Sequence, residues 1–297
     1  MSPLPHLGEI LALSTALIWA ISVILFKKSG ETVHPIALNL FKNVLAALLI
    51  VPTLWIAEGG LDFPFGREEL TLLLISGALG IGIADTLFFM SLNRLGAALS
   101  SIVDCLYSPL VIMAAMIWLG ERLSLWQLIG VGLIITAVFE ATHTRHADHT
   151  TRRGRWWGVA WGVLAMAFMA VGIVMAKPVL EVSSLWWVML IRLLGGIATL
   201  GVILLFNRAR VAILQSLLIR SGWGYLLSGS FTGAYLALIT WLAGMKYTQA
   251  SQASALNQTS NIFVFILAAV FLKERMTTQR IIGIALAIVG VYLVTFA

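Results

Sequence analysis

Apolar stretches near 20 residues long recur from one end of the chain to the other, and no other feature constrains its fold as much. A helix needs about 20 such residues to cross the hydrocarbon core of a bilayer. Inside that core every backbone polar group must be satisfied within the segment, which selects helices. The pattern predicts spans at about 8–28, 35–56, 70–92, 97–119, 124–141, 156–177, 184–206, 224–246, 251–272 and 279–296. Composition agrees, because 60% of residues are hydrophobic and 11% charged, against about 45–50% and 25% in a soluble domain. The expected fold is therefore an all-α integral membrane protein of ten transmembrane helices, with no room for a soluble domain.

The longest charged connection, "THTRHADHTTRRGR" at 142–155, lies at the midpoint and reads as a solvated linker between two halves, 1–141 and 156–297. The first span is expected to stay in the protein rather than be cleaved, since Lys27 and Lys28 follow it and no basic residue precedes it. Cys105 has no cysteine with which to form a disulfide in the chain. The basic residues fall in loops, which points to membrane orientation and not to nucleic acid. One alternate set of loops, holding Lys27, Lys28, Arg94, the midpoint arginines, Arg208, Arg210 and Lys273, outweighs the other, which holds Arg67, Arg122, Lys177 and Lys246. On that count the midpoint loop is cytoplasmic and both termini lie outside.

The two halves resemble each other. "LSSIVDCLYSPLVIMAAMIWLGERLSLWQLIGVGLIITAVF" (99–139) aligns without a gap to "QASALNQTSNIFVFILAAVFLKERMTTQRIIGIALAIVGVY" (252–292), setting Glu121-Arg122 on Glu274-Arg275 and Gly130 on Gly283. A looser match of 8–42 with 158–192 pairs Lys27 with Lys177 and Lys42 with Arg192. Five spans per half is an odd number, so the second half is expected upside down relative to the first. Many secondary transporters follow this inverted-repeat plan, with a substrate site near the midplane between the repeats.

Polar residues at membrane depth mark where that site is expected. Asp104 interrupts a long apolar run and falls opposite Asn257. Ser254, Asn257, Gln258 and Asn261 share one helical face, and Ser100, Asp104, Tyr107 and Ser108 have nearly the same spacing. Such groups are too costly to face lipid, so the two stripes should meet across a polar interior, either as a binding site or as hydrogen-bonded helix contacts. Pro109 lacks an N–H and should free the carbonyl of Cys105. Asp85, Lys42 and Arg192 also lie within spans. Two acids and two bases can neutralise one another; alternatively, a base holds a substrate carboxylate while Asp104 or Asp85 takes an ammonium or a coupled proton. Trp19, Tyr107, Tyr235 and Trp241 are candidate apolar walls.

The segments "LYSPLVIMAAMIWLGERLSLWQLIGVGLIITAV" and "LNQTSNIFVFILAAVFLKERMTTQRIIGIALAIVGVYLV" resemble the closing parts of the two EamA domains of the drug/metabolite transporter superfamily. Trp19, Lys27, Lys177 and Arg192 match further family positions. Lys42 in place of an arginine, Ile262 opposite Pro109 and Met169 opposite Trp19 depart from a symmetric pattern. The resemblance implies a ten-helix exporter of small metabolites such as amino acids, working by alternating access. It also implies cytoplasmic termini, against the charge count. A monomer in the inner membrane of a bacterium is the matching expectation, with the lipid bilayer, a small-molecule substrate and protons as its partners.

Nucleotide-binding and catalytic motifs are missing: there is no G-x-x-x-x-G-K-[ST], and "GALGIG" near residue 80 reads as close helix packing. The chain is therefore not expected to be an enzyme, nor to need a cofactor or metal. His143, His146 and His149 share a loop without cysteine partners. Glu121 and Glu274 read as turn and helix-end chemistry. The expected site is a central cavity among spans 3, 4, 8 and 9 with 1 and 6. A flippase for a lipid-linked intermediate and a membrane-embedded enzyme are the alternatives.

Overall fold

A computed structural model describes residues 6–60, 63–119, 124–142, 152–248 and 250–296, whose regular structure is all helical. The helices are α1 (Leu7–Ser29), α2 (Pro35–Glu58), α3 (Arg67–Gly77), α4 (Ala84–Leu95), α5 (Ala97–Asp104), α6 (Tyr107–Leu119), α7 (Leu125–Thr142) and α8 (Arg152–Val182), followed by α9 (Leu185–Phe206), α10 (Arg210–Gln215), α11 (Trp223–Gly229), α12 (Ala237–Tyr247), α13 (Ala250–Asn257), α14 (Thr259–Phe271) and α15 (Thr278–Phe296). Seven helical segments are long and apolar enough to cross a membrane, and Leu128–Ala141, Thr259–Phe271 and Thr278–Leu293 are shorter apolar helices beside them. Large apolar side chains such as Leu48, Ile117 and Phe206 point outward and are more than half exposed, as a lipid-facing surface requires. The chain is a multi-pass integral membrane protein.

Local chemistry explains where helices stop. His34 Nδ1 accepts the Ile36 N–H at 3.3 Å and Pro35 opens α2, a position where a missing N–H costs nothing. Gly59 closes the same helix at φ 71°, its N–H returning to Trp55 O, because glycine alone takes the left-handed conformation freely. The polar connection between α9 and α11 contains α10 and two short 3₁₀ turns, Ser216–Leu218 and Arg220–Gly222, which the hydropathy pattern does not register.

Four of the expected spans are irregular, and the irregularities match in register. Span 3 runs through α3 and α4 with π-helix over Ala78–Ile83, and span 8 runs through α11 and α12 with π-helix over Ser230–Leu236. Span 4 breaks between α5 and α6 at Cys105–Leu106, and span 9 breaks between α13 and α14 at Gln258. At the spacing that sets Asp104 opposite Asn257, Gly80 falls opposite Gly233 and Cys105 opposite Gln258. Pro109 lies in the first turn of α6, where it is tolerated, just past the break between the two helices.

Glycines press α3 and its π segment onto α8 and α9. A Cβ on Gly77 would collide with the backbone carbonyl of Arg192, one on Gly195 with that of Leu74, and one on Gly172 would sit 2.9 Å from the Gly80 Cα. The reading of "GALGIG" as a packing stretch therefore has a geometric basis: only hydrogen atoms fit between these backbones.

Candidate functional site

The irregular helices surround a central cavity of about 130 Å³. Of the expected site residues, Trp19, Lys42, Asp85, Asp104, Tyr107, Arg192, Trp241, Asn257, Gln258 and Asn261 line it. Lys42 on α2 and Arg192 on α9 bring spans 2 and 7 to the cavity in addition to the six expected. Both π segments reach it, through Gly80 and Ile81 on one side and Gly233 and Ala234 on the other.

Lys42 and Asp85 neutralise each other. Lys42 Nζ lies 2.6 Å from Asp85 Oδ2 and donates a second bond to Asn43 Oδ1 at 3.0 Å. Both side chains are buried, and a buried pair is tolerated only with such geometry and additional hydrogen bonds. Asn43 is held in turn, its amide donating to Asn39 Oδ1 at 2.9 Å. The Asn39 amide donates to the carbonyls of Ile81 and Gly82, at 2.9 and 3.1 Å, and to Thr86 Oγ1. A π-helix shifts backbone bonding from i→i+4 to i→i+5, and Asn39 supplies side-chain donors to two carbonyls of that segment.

Arg192 sits at the place in the second half that Lys42 occupies in the first, with a different outcome. Its side chain is buried, at 4% exposure. Among the described residues it has no ion pair or hydrogen bond, and its Nε is fully enclosed without a partner. Asp85 and Tyr107 lie within electrostatic reach. A Cβ on Gly80 would be 3.3 Å from its Nη2, so the glycine of the π segment leaves room for the guanidinium at the cavity wall. A charged side chain near the bilayer centre costs about 2.5–3.5 kcal/mol on insertion scales. Among the described residues no carboxylate within ion-pair distance of Arg192 offsets that.

Asp104 closes α5 and also lines the cavity. Its carboxylate has no ion-pair partner among the described residues, while its backbone carbonyl accepts the Gln258 amide at 3.2 Å across the two helix breaks. Asn261 donates to Gln258 Oε1 and, at 3.4 Å, to Cys105 Sγ. Among the described residues, spans 4 and 9 are thus hydrogen-bonded to each other at their breaks, through the Asp104 backbone and Cys105 and not through a side chain of the span 4 stripe. Asn257 Oδ1 is enclosed without a hydrogen-bond partner.

Aromatic residues form the apolar wall: Trp19 stands 5.8 Å from Phe88 and Tyr107 6.2 Å from Trp241, ring centre to ring centre. Three expected contacts lie elsewhere. Tyr235 points away from the cavity, hydrogen-bonding Thr53 Oγ1 at 2.7 Å and stacking on Phe231; six residues from Trp241, it lies about 120° around the helix from it even at regular winding. Ser108 and Ser254 are wholly buried in helix packing and do not line the cavity. Glu121 and the three histidines of the midpoint loop lie outside the described residues. The lining residues that sequence reasoning missed are Asn43, Phe88 and Met166 with their neighbours. Asn39, Lys42 and Asn43 follow the same i, i+3, i+4 spacing as the stripe on span 9, and that signal was available for Asn43.

Comparison with known proteins places the chain among membrane transporters. A protein of Archaeoglobus fulgidus described as an uncharacterized transporter is 24% identical over 290 residues, 96% of each chain. Protein PagO of Salmonella typhimurium is 22% identical, covering 97% of this chain and 93% of its own. Mouse solute carrier family 35 member G1 is 24% identical over 68% of this chain and 57% of its own. A crystal structure superposes on 97% of this chain and 96% of its own with a TM-score of 0.66 at 16% identity, a likeness of fold. The model of the EamA-like transporter family matches twice, over residues 6–141 and 156–296. Matches across nearly the whole length establish that the chain belongs to the EamA-like transporter family.

Proposed function

We propose that this protein is a secondary transporter that exports small metabolites, amino acids or related compounds, across a bacterial inner membrane by alternating access. In this reading its ten spans form two inverted five-span repeats, and the solute binds in the cavity between them. The observation that carries the proposal is the guanidinium of Arg192, buried at the cavity without an acid of its own. A protein gains nothing from an uncompensated charge at membrane depth unless something else neutralises it. An anionic group on a solute does so, and the planar guanidinium suits a carboxylate in a bidentate arrangement.

Asp104, also on the cavity lining, is the partner for an ammonium group or for a proton moved in exchange. The Lys42–Asp85 pair is already neutral and contributes shape. Size argues the same way, since a cavity of 150 Å³ accommodates benzene, and about 130 Å³ suits a solute of that order and not a lipid-linked sugar. Trp19, Phe88 and Trp241 take its apolar portion.

The test is efflux from proteoliposomes loaded with a mixed pool of amino acids and other small metabolites, read by mass spectrometry against protein-free vesicles. Selective loss of a few small solutes supports the carrier. Retention of the whole pool by folded protein, with lipid scrambling instead, replaces it with the flippase.

A further inference from the structure

Glu274 sits in the connection between α14 and α15, yet its carboxylate works on a distant helix. Oε1 accepts the N–H of Ala97 at 2.7 Å and Oε2 that of Ala98 at 3.1 Å. Those amides open α5 and have no intrahelical acceptor of their own, and the negative charge complements the helix dipole. Gly96 makes the approach possible. It has φ 80° and ψ 170°, a conformation essentially confined to glycine, and a Cβ there would lie 2.9 Å from Glu274 Oε1.

The clamped element is short and stiff. Helix α5 has eight residues, about 12 Å of rise; Ala97 through Val103 are buried, and Asp104 ends the helix at the cavity. Beyond Asp104 the α-helix gives way at Cys105–Leu106 to a turn held by tighter i→i+3 bonds, Cys105 N–H to Ile102 O and Leu106 N–H to Val103 O, so the joint between α5 and α6 lies directly beside Asp104. One end of this rod is therefore held by the second half of the chain, and the other end presents the carboxylate placed above at the solute. The matching rod, α13, ends at Asn257 and breaks at Gln258.

We infer that Glu274 is a positioning residue for solute movement. Its carboxylate clamps α5, fixes Asp104 against the cavity, and seals the face of the membrane on which the α4–α5 and α14–α15 connections meet. That face opens when the clamp releases Ala97 and Ala98. The inference rests on the carrier reading.

The experiment places a cysteine at Met169, on the cavity wall, and measures labelling by a membrane-impermeant maleimide in spheroplasts and in inverted vesicles. Glu274→Ala is expected to raise the labelling rate from the clamped face roughly five- to tenfold, the scale of a lost charge-assisted helix cap, and to lower it from the other face. Gly96→Ala, which crowds the carboxylate, should do the same. Glu274→Gln, which keeps one accepting oxygen, should fall between and serves if the alanine variant does not fold. A merely structural role predicts equal change from both faces, or none, in folded protein, and either result overturns the clamp. Solute efflux by the unsubstituted protein, measured in parallel, separates the two claims: flux with unchanged sidedness removes only the clamp, whereas no flux removes the carrier as well.

Discussion

Lys42 Nζ and Asp85 Oδ2 are 2.6 Å apart in the protein interior, so the first half of the chain neutralises its buried base from its own third span. Among the described residues, Arg192, the matching base in the second half, has no acid within ion-pair distance, with Asp85 only within electrostatic reach. This asymmetry between two similar halves is what gives the cavity a charge to offer.

Removing one member of the pair should therefore be worse than removing both. Asp85→Asn strands the Lys42 ammonium, and breaking a buried pair costs about 3–5 kcal/mol. The double variant Lys42→Met, Asp85→Leu should be near the unsubstituted protein in stability. Thermal exposure of Cys105, which is 1% exposed, to a thiol-reactive dye in detergent follows unfolding directly. Equal loss in single and double variants would show that the pair is not self-contained.

Arg192→Gln is expected to behave in the opposite sense. It removes an uncompensated charge, so the melting temperature should hold or rise while solute efflux falls at least tenfold. Loss of stability together with loss of efflux would mean that Arg192 has a structural partner and not a solute.

Asn39→Leu deprives the Ile81 carbonyl of its side-chain donor and Asn43 of its acceptor, while the Gly82 carbonyl keeps only the Thr86 hydroxyl as a side-chain donor. Leaving buried polar groups unsatisfied costs about 1–3 kcal/mol each. Hydrogen exchange over residues 78–86 should accelerate well beyond that of α15, which Asn39 does not touch. Unchanged protection there would remove Asn39 as the support of the π segment.

Gly77→Ala places a methyl group against the Arg192 backbone carbonyl. Overpacking of this kind costs about 1–3 kcal/mol. The same dye assay should show a lowered melting temperature, whereas Gly132→Ala, with open space around it, should show none. Equal melting of the two variants would mean that α3 and α9 are free to separate.

Much of this was legible in the sequence because a bilayer enforces simple rules. Twenty-residue apolar runs located the helices, and the internal match located the polar residues that meet at Asp104 and Gln258. Periodicity failed where winding changes: it assumes one angle per residue, so it could not see the π segments at Ala78–Ile83 and Ser230–Leu236. Nor could it foresee the helix breaks that divide each polar stripe in two. Charge pairing was undecidable for a different reason. Lys42 and Arg192 occupy matching places, and only the three-dimensional position of Asp85 puts it in contact with one and merely within electrostatic reach of the other. Glu274 read correctly as helix-end chemistry, but its helix lies in the other half of the chain, beyond the reach of any local capping rule.

The most direct test of the central claim, that the cavity between Arg192 and Asp104 is where solute binds, is efflux by Asp104→Asn protein. The isosteric change leaves the Gln258 bond to the backbone carbonyl intact, so the fold should be kept. The account predicts that the solutes exported by the unsubstituted protein stay inside the vesicles, with the melting temperature unchanged. Export of the same solutes at the same rate by the folded variant would contradict it.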